Sequence, residues 1–234
     1  LLGRGLASTG PVVIPVTQPE FGAVRVSTQS LGSFVVSNGG GAPLNISSAT
    51  IGGANAADFS VVTDACTGTP LAPAGTCEIQ VQFAPLALGA RVATLTLESD
   101  DPEGPKVLPL TGVGTSPLLT LDAAALDFGQ QRIGTSGRRT LTLTNTGTGP
   151  LNILQLGTIG GDAGDFSVAA TTCSSTLAQG ASCSLELSFR PTAVGARSSL
   201  LQIVTDAPTS PDVVELTGEG LEGEPGGGDI CIER

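Results

Sequence analysis

The chain of 234 residues contains 33 Gly and 16 Pro, only 13% charged residues and no His, and its formal net charge is −11. This composition favours short strands joined by tight turns over helices. The acidic balance leaves no basic surface for nucleic acid or an anionic membrane, and no apolar run approaches the roughly 18 residues of a membrane helix.

An internal repeat organises the chain. The sequence matches itself at an offset of 107 residues, which falls to 106 after a one-residue deletion. The matched sets are 38–46 with 145–153, Phe21-Gly22 with Phe128-Gly129, Asp58-Phe59-Ser60 with Asp165-Phe166-Ser167, and Leu110-Thr111-Gly112 with Leu216-Thr217-Gly218. The repeat predicts an N-terminal segment at 1–10, a first domain at 11–115, a second domain at 116–221 and a Gly-rich tail at 222–234.

The N-terminal segment lies outside the repeat, because Val12 and Ile14 already align with Leu119 and Leu121. The sequence does not begin with Met, which we interpret as a processed chain or a fragment whose export signal or anchor lies outside it. Both ends are therefore available for contacts between molecules.

Apolar and polar residues alternate within each domain, which is typical of strands with one face on a core. In the first domain Glu78, Gln80 and Gln82 are expected to point outward, and the residues between them, Cys77, Ile79, Val81 and Phe83, inward. The second domain repeats this pattern, and neither domain shows a 3.6-residue period. About seven short strands in each copy predict an all-β chain of two tandem immunoglobulin-like β-sandwiches.

The domains meet at residues 114–117, a stretch of small residues and Pro that leaves no room for a flexible tether. They are therefore expected to lie end to end with restricted bending.

Three acidic residues cluster in one turn of the first domain, namely Asp100, Asp101 and Glu103. The counterpart in the second domain is Asp206-Ala207-Pro208, and this loss of acids indicates a solvated turn rather than a catalytic pair. Weak calcium binding by the three residues stays an alternative, because hard cations take several carboxylate oxygens. No metal site is otherwise expected.

The repeated motifs resemble a known family. The residues concerned are Asp127-Phe128-Gly129, Asn145-Thr146-Gly147 before Pro150-Leu151-Asn152-Ile153, Asp165-Phe166, Cys173 and Cys183, Phe189-Arg190-Pro191, Gly195, and Leu216-Thr217-Gly218. The first copy carries the same set, with Glu20 for Asp127 and Ala84 for Arg190. On these residues the chain resembles the ASH-type immunoglobulin-like domains, relatives of the major sperm protein and PapD-like sandwiches, and in particular the bacterial repeats called choice-of-anchor D. The resemblance implies surface modules in bacteria or scaffold modules in eukaryotic cilia and centrosomes, and it implies no catalytic residues.

The five Cys divide into two matched pairs and Cys231. In each copy the second Cys begins a core strand and the first lies in the preceding loop, so the disulfides Cys66–Cys77 and Cys173–Cys183 are predicted. Zinc is disfavoured, because the chain has no His and no close Cys-x-x-Cys. Paired cysteines persist in oxidising compartments, which favours an extracellular or cell-surface location in the bacterial branch.

Cys231 lies between Ile230 and Ile232 in the tail, after three Gly. One interpretation is a linker remnant that leads to a further domain or anchor. The alternative is that this strand-prone segment adds to the sheet edge of a neighbouring molecule, or that Cys231 forms an intermolecular disulfide.

Catalysis and cofactor binding are not expected. With no His, no Tyr and a single Lys, the usual general bases and nucleophile activators are mostly missing. With no Trp or Tyr, and six of the seven Phe in matched core positions, the chain also lacks an aromatic platform for sugars.

The sequence therefore predicts a non-catalytic structural module of a secreted or cell-surface bacterial protein. It would be a rod-like spacer, or a subunit of an extracellular fibre or layer that self-associates through its terminal segments. The alternative is an adhesin or targeting module that recognises a partner through loops at the sandwich ends. The loops that differ most between the copies are 64–73 against 171–179 and 100–106 against 206–212.

Overall fold

The computed structural model describes residues 10–16 and 19–223. These residues form two compact units that divide between Thr115 and Ser116. Helix in the described ranges is confined to two short 3-10 turns, Ala56–Asp58 and Ala163–Asp165. No helix there is long and apolar enough to cross a membrane. The predicted all-β class is confirmed.

Unit 1 is a sandwich of two four-stranded sheets. Its strands are β1 (Val13–Pro15), β2 (Ala23–Arg25), β3 (Ser30–Asn38), β4 (Ile46–Gly52), β5 (Phe59–Asp64), β6 (Thr76–Phe83), β7 (Gly89–Ser99) and β8 (Lys106–Thr115). One sheet has the order β1-β3-β6-β5 and the other β2-β8-β7-β4. Neighbouring strands are antiparallel except β2 and β8, which run parallel.

Unit 2 repeats this architecture. Its strands are β9 (Leu119–Leu121), β10 (Ala125–Arg132), β11 (Gly137–Asn145), β12 (Leu151–Ile159), β13 (Phe166–Thr171), β14 (Thr176–Leu177), β15 (Ser182–Phe189), β16 (Gly195–Thr205) and β17 (Asp212–Leu221). The sheet orders are β9-β11-β15-β13 and β10-β17-β16-β12-β14. The pair β10 and β17 is parallel, as β2 and β8 are in unit 1.

Each core forms from the alternating side chains of two facing sheets. On β6, Ile79, Val81 and Phe83 are completely buried. Glu78, which lies between Cys77 and Ile79 in the chain, is exposed. The equivalent strand β15 buries its residues in the same alternation. The predicted fold of two tandem immunoglobulin-like sandwiches, each with one disulfide, is confirmed.

Three Phe rings in each unit pack against one another. In unit 1 the rings of Phe21, Phe59 and Phe83 have centroids 4.7 to 5.6 Å apart, and unit 2 repeats the cluster with its matched Phe residues. A Cβ on Gly112 would lie 2.4 Å from the Phe83 ring. The closing Leu-Thr-Gly motif of each copy therefore leaves the space that this ring occupies.

Two details differ from the sequence prediction. The described part of unit 1 has eight strands and that of unit 2 has nine, rather than about seven. The opening segment of each copy contributes a strand to both sheets, and unit 2 adds β14 at a sheet edge. The register pairs Val13 with Asn38 as it pairs Leu119 with Asn145. The alignment of Val12 with Leu119 is thus wrong by one residue, since pairing with the neighbouring strand, and not local alternation, sets the register of so short a strand.

Candidate functional site

One disulfide in each unit ties a loop to a core strand. Cys66 follows β5 and is bonded to Cys77 on β6, with their Cα atoms 5.2 Å apart. Cys173 follows β13 and is bonded to Cys183 on β15, at 4.9 Å. A ring of this size stabilises a domain by about 2 to 3 kcal/mol in the chain-entropy estimate. Such bonds persist in oxidising compartments.

A completely buried Asn ends the third strand of unit 1 and its counterpart in unit 2. The amide nitrogen of Asn145 donates to the carbonyls of Gly149 and Leu177, at 2.8 and 3.0 Å. Its Oδ1 accepts from the Gly147 N–H at 3.1 Å. Asn38 binds the matching backbone groups of unit 1. The Asn-x-Gly motif of each copy therefore closes a turn and anchors a neighbouring loop.

A buried ion pair recurs in both units. In unit 2, Asp165 is 4% exposed, and its Oδ2 accepts from Arg197 Nε at 2.6 Å. Its Oδ1 accepts from the Thr192 hydroxyl at 2.7 Å. In unit 1, Asp58 and Arg91 form the same pair. The pair joins each 3-10 turn to the first residues of an 11-residue strand, β7 in unit 1 and β16 in unit 2.

The environment of Asp165 favours its ionised form. Burial by itself would raise the pKa of this carboxyl. The hydrogen bonds from Thr192 and the guanidinium of Arg197 outweigh that effect, so its pKa lies below the ordinary value. The carboxylate is therefore held as an anion by protein donors, which suits a structural role better than proton transfer.

Asp100, the first acid of the predicted turn, is hydrogen-bonded to an Asn, and unit 2 contains the same contact. We call this contact the Asn–Asp clamp. Asp100 accepts from the backbone N–H of Asn45 at 2.9 Å and from its side-chain amide at 2.6 Å. Asp206 holds Asn152 in the same way, at 2.8 Å for both contacts. The bond from the Asn45 side chain is the largest of the effects that lower the pKa of Asp100.

The other two acids of this turn are also engaged. Asp101 is 4% exposed and accepts from the N–H groups of Val13 and Glu103, both at 2.9 Å. Lys106 binds Glu103 at 2.7 Å and lies 3.6 Å from Asp101. Burial would raise the pKa of Asp101, but these donors and the Lys106 ammonium lower it below the ordinary value.

These contacts favour the turn interpretation over weak calcium binding, because protein donors already occupy the carboxylates. Among the described residues, no group of three or more His, Cys, Asp or Glu is placed to hold a metal ion.

The loops before the second Cys differ between the units. In unit 1, Asp64 accepts from the N–H groups of Cys66 and Thr67, at 2.8 and 2.9 Å. In unit 2, the hydroxyl of Thr171 accepts from the Cys173 N–H at 2.9 Å. Unit 2 also adds β14 to the sheet edge, where unit 1 has two isolated bridges. Both loops are thus held by local bonds as well as by a disulfide.

The tail residues proposed for intermolecular contact, Ile230, Cys231 and Ile232, lie outside the described residues. Of the N-terminal segment, only its last residue is described.

The ion pair was not among the sequence predictions. Asp58 and Asp165 mark the repeat, but their partners Arg91 and Arg197 lie 33 and 32 residues further along the chain. A sequence pattern does mark the two Arg residues, because both copies carry Gly-Ala-Arg at the matching positions 89–91 and 195–197.

Two family models match the chain, one in each half. Residues 117–213 match the model described as abnormal spindle-like microcephaly-associated, ASPM-SPD-2-Hydin, abbreviated ASH. Residues 14–111 match the HYDIN/CFA65/VesB-like immunoglobulin-like domain. Each unit is therefore similar to one of these two kinds of immunoglobulin-like domain. Such domains are generally non-catalytic. A comparison with the curated proteins found no match.

Solved structures similar to these ASH-type domains come from bacteria and from humans. A protein of unknown function from Porphyromonas gingivalis W83 is 16% identical with a TM-score of 0.39, over 88% of this chain and 99% of that one. PapD-like domain 7 of human CEP192 is 16% identical with a TM-score of 0.39, over 47% and 89%. The VesB protease of Vibrio cholerae is 20% identical with a TM-score of 0.37, over 43% and 31%. Likeness at this level carries no argument about activity or partners.

Proposed function

We propose that this chain is a non-catalytic structural module of a secreted or cell-surface bacterial protein, of the choice-of-anchor D kind. It serves as a spacer or as a subunit of an extracellular fibre or layer. The proposal rests on the contacts of the polar residues that the two copies share. The buried Asn, the Asp–Arg pair and the Asn–Asp clamp each bind protein groups that hold strands or turns in place.

This pattern supports a structural role because duplicated functional sites would retain side chains directed at a ligand. Here the retained polar side chains are directed at the domain itself. Asp165, for example, accepts hydrogen bonds from Thr192 and Arg197 of its own unit.

The two disulfides support the proposed secreted or cell-surface location. Each closes a small ring within a single domain, and bonds of this kind persist in secreted and cell-surface proteins but are reduced in most cytosols. A module that works outside the cell gains stability from them without needing a larger core.

The experiment that tests the proposal compares assembly of the intact chain with that of a shortened chain ending at Leu221. Light scattering and negative-stain microscopy are carried out on both, with and without a reducing agent. Ordered polymers that disappear when residues 222–234 are removed would identify a fibre or layer subunit joined through its tail. Chains that form no polymer in any condition would identify a spacer.

A targeting or adhesive module is the second candidate, and one observation favours it. The model that matches residues 14–111 is named for HYDIN, CFA65 and VesB together, so related domains belong to several different proteins, as expected of an attached targeting module. The proposed contacts are the loops 64–73 and 100–106. Exchanging each loop with its counterpart in unit 2 should abolish capture of a glycan or protein ligand on an array. A ligand bound in this way would refute the purely structural role.

A further inference from the structure

The buried Asn of unit 1 is followed by a Gly. Among the five Asn of the chain only Asn38 precedes Gly, since the other four precede Ile, Ala or Thr. Gly has no Cβ, so its backbone nitrogen is open to approach from the preceding side chain. In a flexible chain such a nitrogen attacks the Asn amide, and the amide group is lost. The sequence therefore identifies Asn38 as the Asn most prone to deamidation.

Deamidation at this position consumes only water. The backbone nitrogen of Gly39 attacks Cγ of Asn38, and the new N–Cγ bond closes a five-membered ring. The Cγ–Nδ2 bond breaks, and the departing nitrogen takes the proton of the Gly39 N–H and leaves as ammonia. Water then opens the ring at either carbonyl, which gives aspartate or its isomer in which the main chain runs through the side-chain carboxyl. One amide and one water thus become a carboxyl group and ammonia.

The fold holds both reacting groups in place. Asn38 is completely buried. Its Nδ2 donates to the carbonyls of Ala42 and Leu71, at 2.7 and 2.9 Å. Its Oδ1 accepts from the N–H groups of Gly40 at 2.9 Å and of Val12 at 3.4 Å. The attacking nitrogen, that of the next residue, donates to the Val12 carbonyl at 2.9 Å. Ring closure requires the amide to turn, and these bonds oppose that turn, so folded unit 1 protects the amide.

The loop between the two Cys of unit 1 supplies part of this protection. Leu71 in this loop accepts from the Asn38 side chain. The N–H of Ala74 donates to the Asn38 carbonyl at 2.9 Å, and the Gly75 carbonyl accepts from the Asn38 N–H at 3.0 Å. All three loop residues lie within the ring that the disulfide closes. The disulfide therefore helps to hold the loop against the Asn.

Unit 2 buries the same Asn without the Gly. In unit 1 a Cβ on Gly39 would overlap the side chain of Ile14, which accounts for the Gly. In unit 2 the matching residues are Thr146 and Thr120, whose hydroxyls lie 2.8 Å apart. The β-branched side chain of Thr146 shields its own backbone nitrogen. Asn145 thus has the same buried contacts but a far less reactive neighbour.

We propose that Asn38 is a conditional deamidation site, which is closed while the disulfide-bonded loop covers it and opens when unit 1 unfolds. The product cannot restore the native contacts. Aspartate at this position turns an anion toward the carbonyls of Ala42 and Leu71, and the isomer lengthens the main chain by one carbon. Unfolding of unit 1 therefore becomes irreversible with time, whereas unit 2 refolds. The inference does not depend on assembly and so goes beyond the proposed function.

Peptide mapping by mass spectrometry tests the proposal on the full chain at neutral pH, by the rate at which Asn38 gains the mass of deamidation. We expect this rate to be at least about a hundredfold lower in the native chain than in guanidinium chloride, because a native domain opens rarely. Cys66→Ala with Cys77→Ala should raise the native rate roughly thirtyfold, since the disulfide stabilises the closed state. The matched control is Cys173→Ala with Cys183→Ala, which should leave the rate at Asn38 within about twofold of the parent value.

A second pair of measurements tests the chemistry. Gly39→Thr with Ile14→Thr copies the arrangement of unit 2, and in guanidinium chloride it should slow deamidation of Asn38 at least about tenfold. After long incubation of the parent chain and removal of the denaturant, calorimetry should show a full transition for unit 2 and a diminished one for unit 1.

Four results would overturn the proposal. They are equal rates in the native and denatured parent, no acceleration in the unit 1 disulfide variant, equal acceleration in both disulfide variants, and a Thr variant that reacts as fast as the parent. If circular dichroism shows that the unit 1 disulfide variant does not fold, Asp64→Ala replaces it. This change removes the acceptor of the Cys66 and Thr67 N–H groups and should raise the native rate about threefold or more.

Discussion

Replacing Asn145 by Ala removes a completely buried amide from unit 2. The amide forms three short hydrogen bonds of 2.8, 3.0 and 3.1 Å with the backbone of Gly149, Leu177 and Gly147. A fourth, longer bond of 3.5 Å comes from the N–H of Leu118. Each neutral hydrogen bond contributes about 1 kcal/mol net, and a buried partner left unsatisfied costs at least as much. We therefore expect the free energy of unfolding of unit 2 to fall by about 3 kcal/mol, within roughly 2 to 4 kcal/mol.

The measurement is urea and thermal unfolding of the full chain. The chain has no Trp or Tyr, so unfolding is followed by far-UV circular dichroism and by calorimetry rather than by fluorescence. Because the chain has two compact units, the curves are fitted with a separate transition for each. Asn38→Ala makes the matching change in unit 1 and should shift the other transition by a similar amount.

Two further variants decide whether the amide itself is responsible. Gln155→Ala removes an exposed amide from β12 and should change stability by less than about 0.5 kcal/mol. Asn145→Asp keeps the shape but turns an anion toward the carbonyls of Gly149 and Leu177, so at pH 7 it should cost at least as much as Ala. If Asn145→Ala costs less than about 1 kcal/mol, or no more than Gln155→Ala, the reasoning is refuted.

Three other predictions follow from single contacts. Gly218→Ala should destabilise unit 2 by about 1 to 3 kcal/mol in calorimetry, because the new Cβ would lie 2.5 Å from the Phe189 ring; an unchanged melting temperature would contradict this. Cys173→Ala with Cys183→Ala should lower the free energy of unfolding of unit 2 by about 2 to 3 kcal/mol, and a chemically reduced parent chain should match it. Burial raises the pKa of the Asp212 carboxyl. The contribution of this carboxyl to the free energy of unfolding is therefore lost as the pH rises from the pKa of the unfolded chain, near 3.9, through the pKa of the folded chain. Asp212→Asn should stabilise the chain at pH 7 but not at about pH 3, as measured by urea unfolding.

The sequence by itself determined the repeat, the all-β class and the inward residues of the long strands. These properties are readable because strand alternation is local. The side chains of Ile79, Val81 and Phe83 must share a face whatever lies opposite them, and duplication presents the same pattern twice. Local alternation failed at β1, where three residues are too few to distinguish Val13 from Val12.

Only the tertiary structure decided which distant polar groups meet. Asp165 and Arg197 are 32 residues apart, and their pairing depends on which loops share one end of a sandwich. The physical reason is that periodicity assigns a residue to a face, whereas its partners are set by the packing of strands that are distant in the chain.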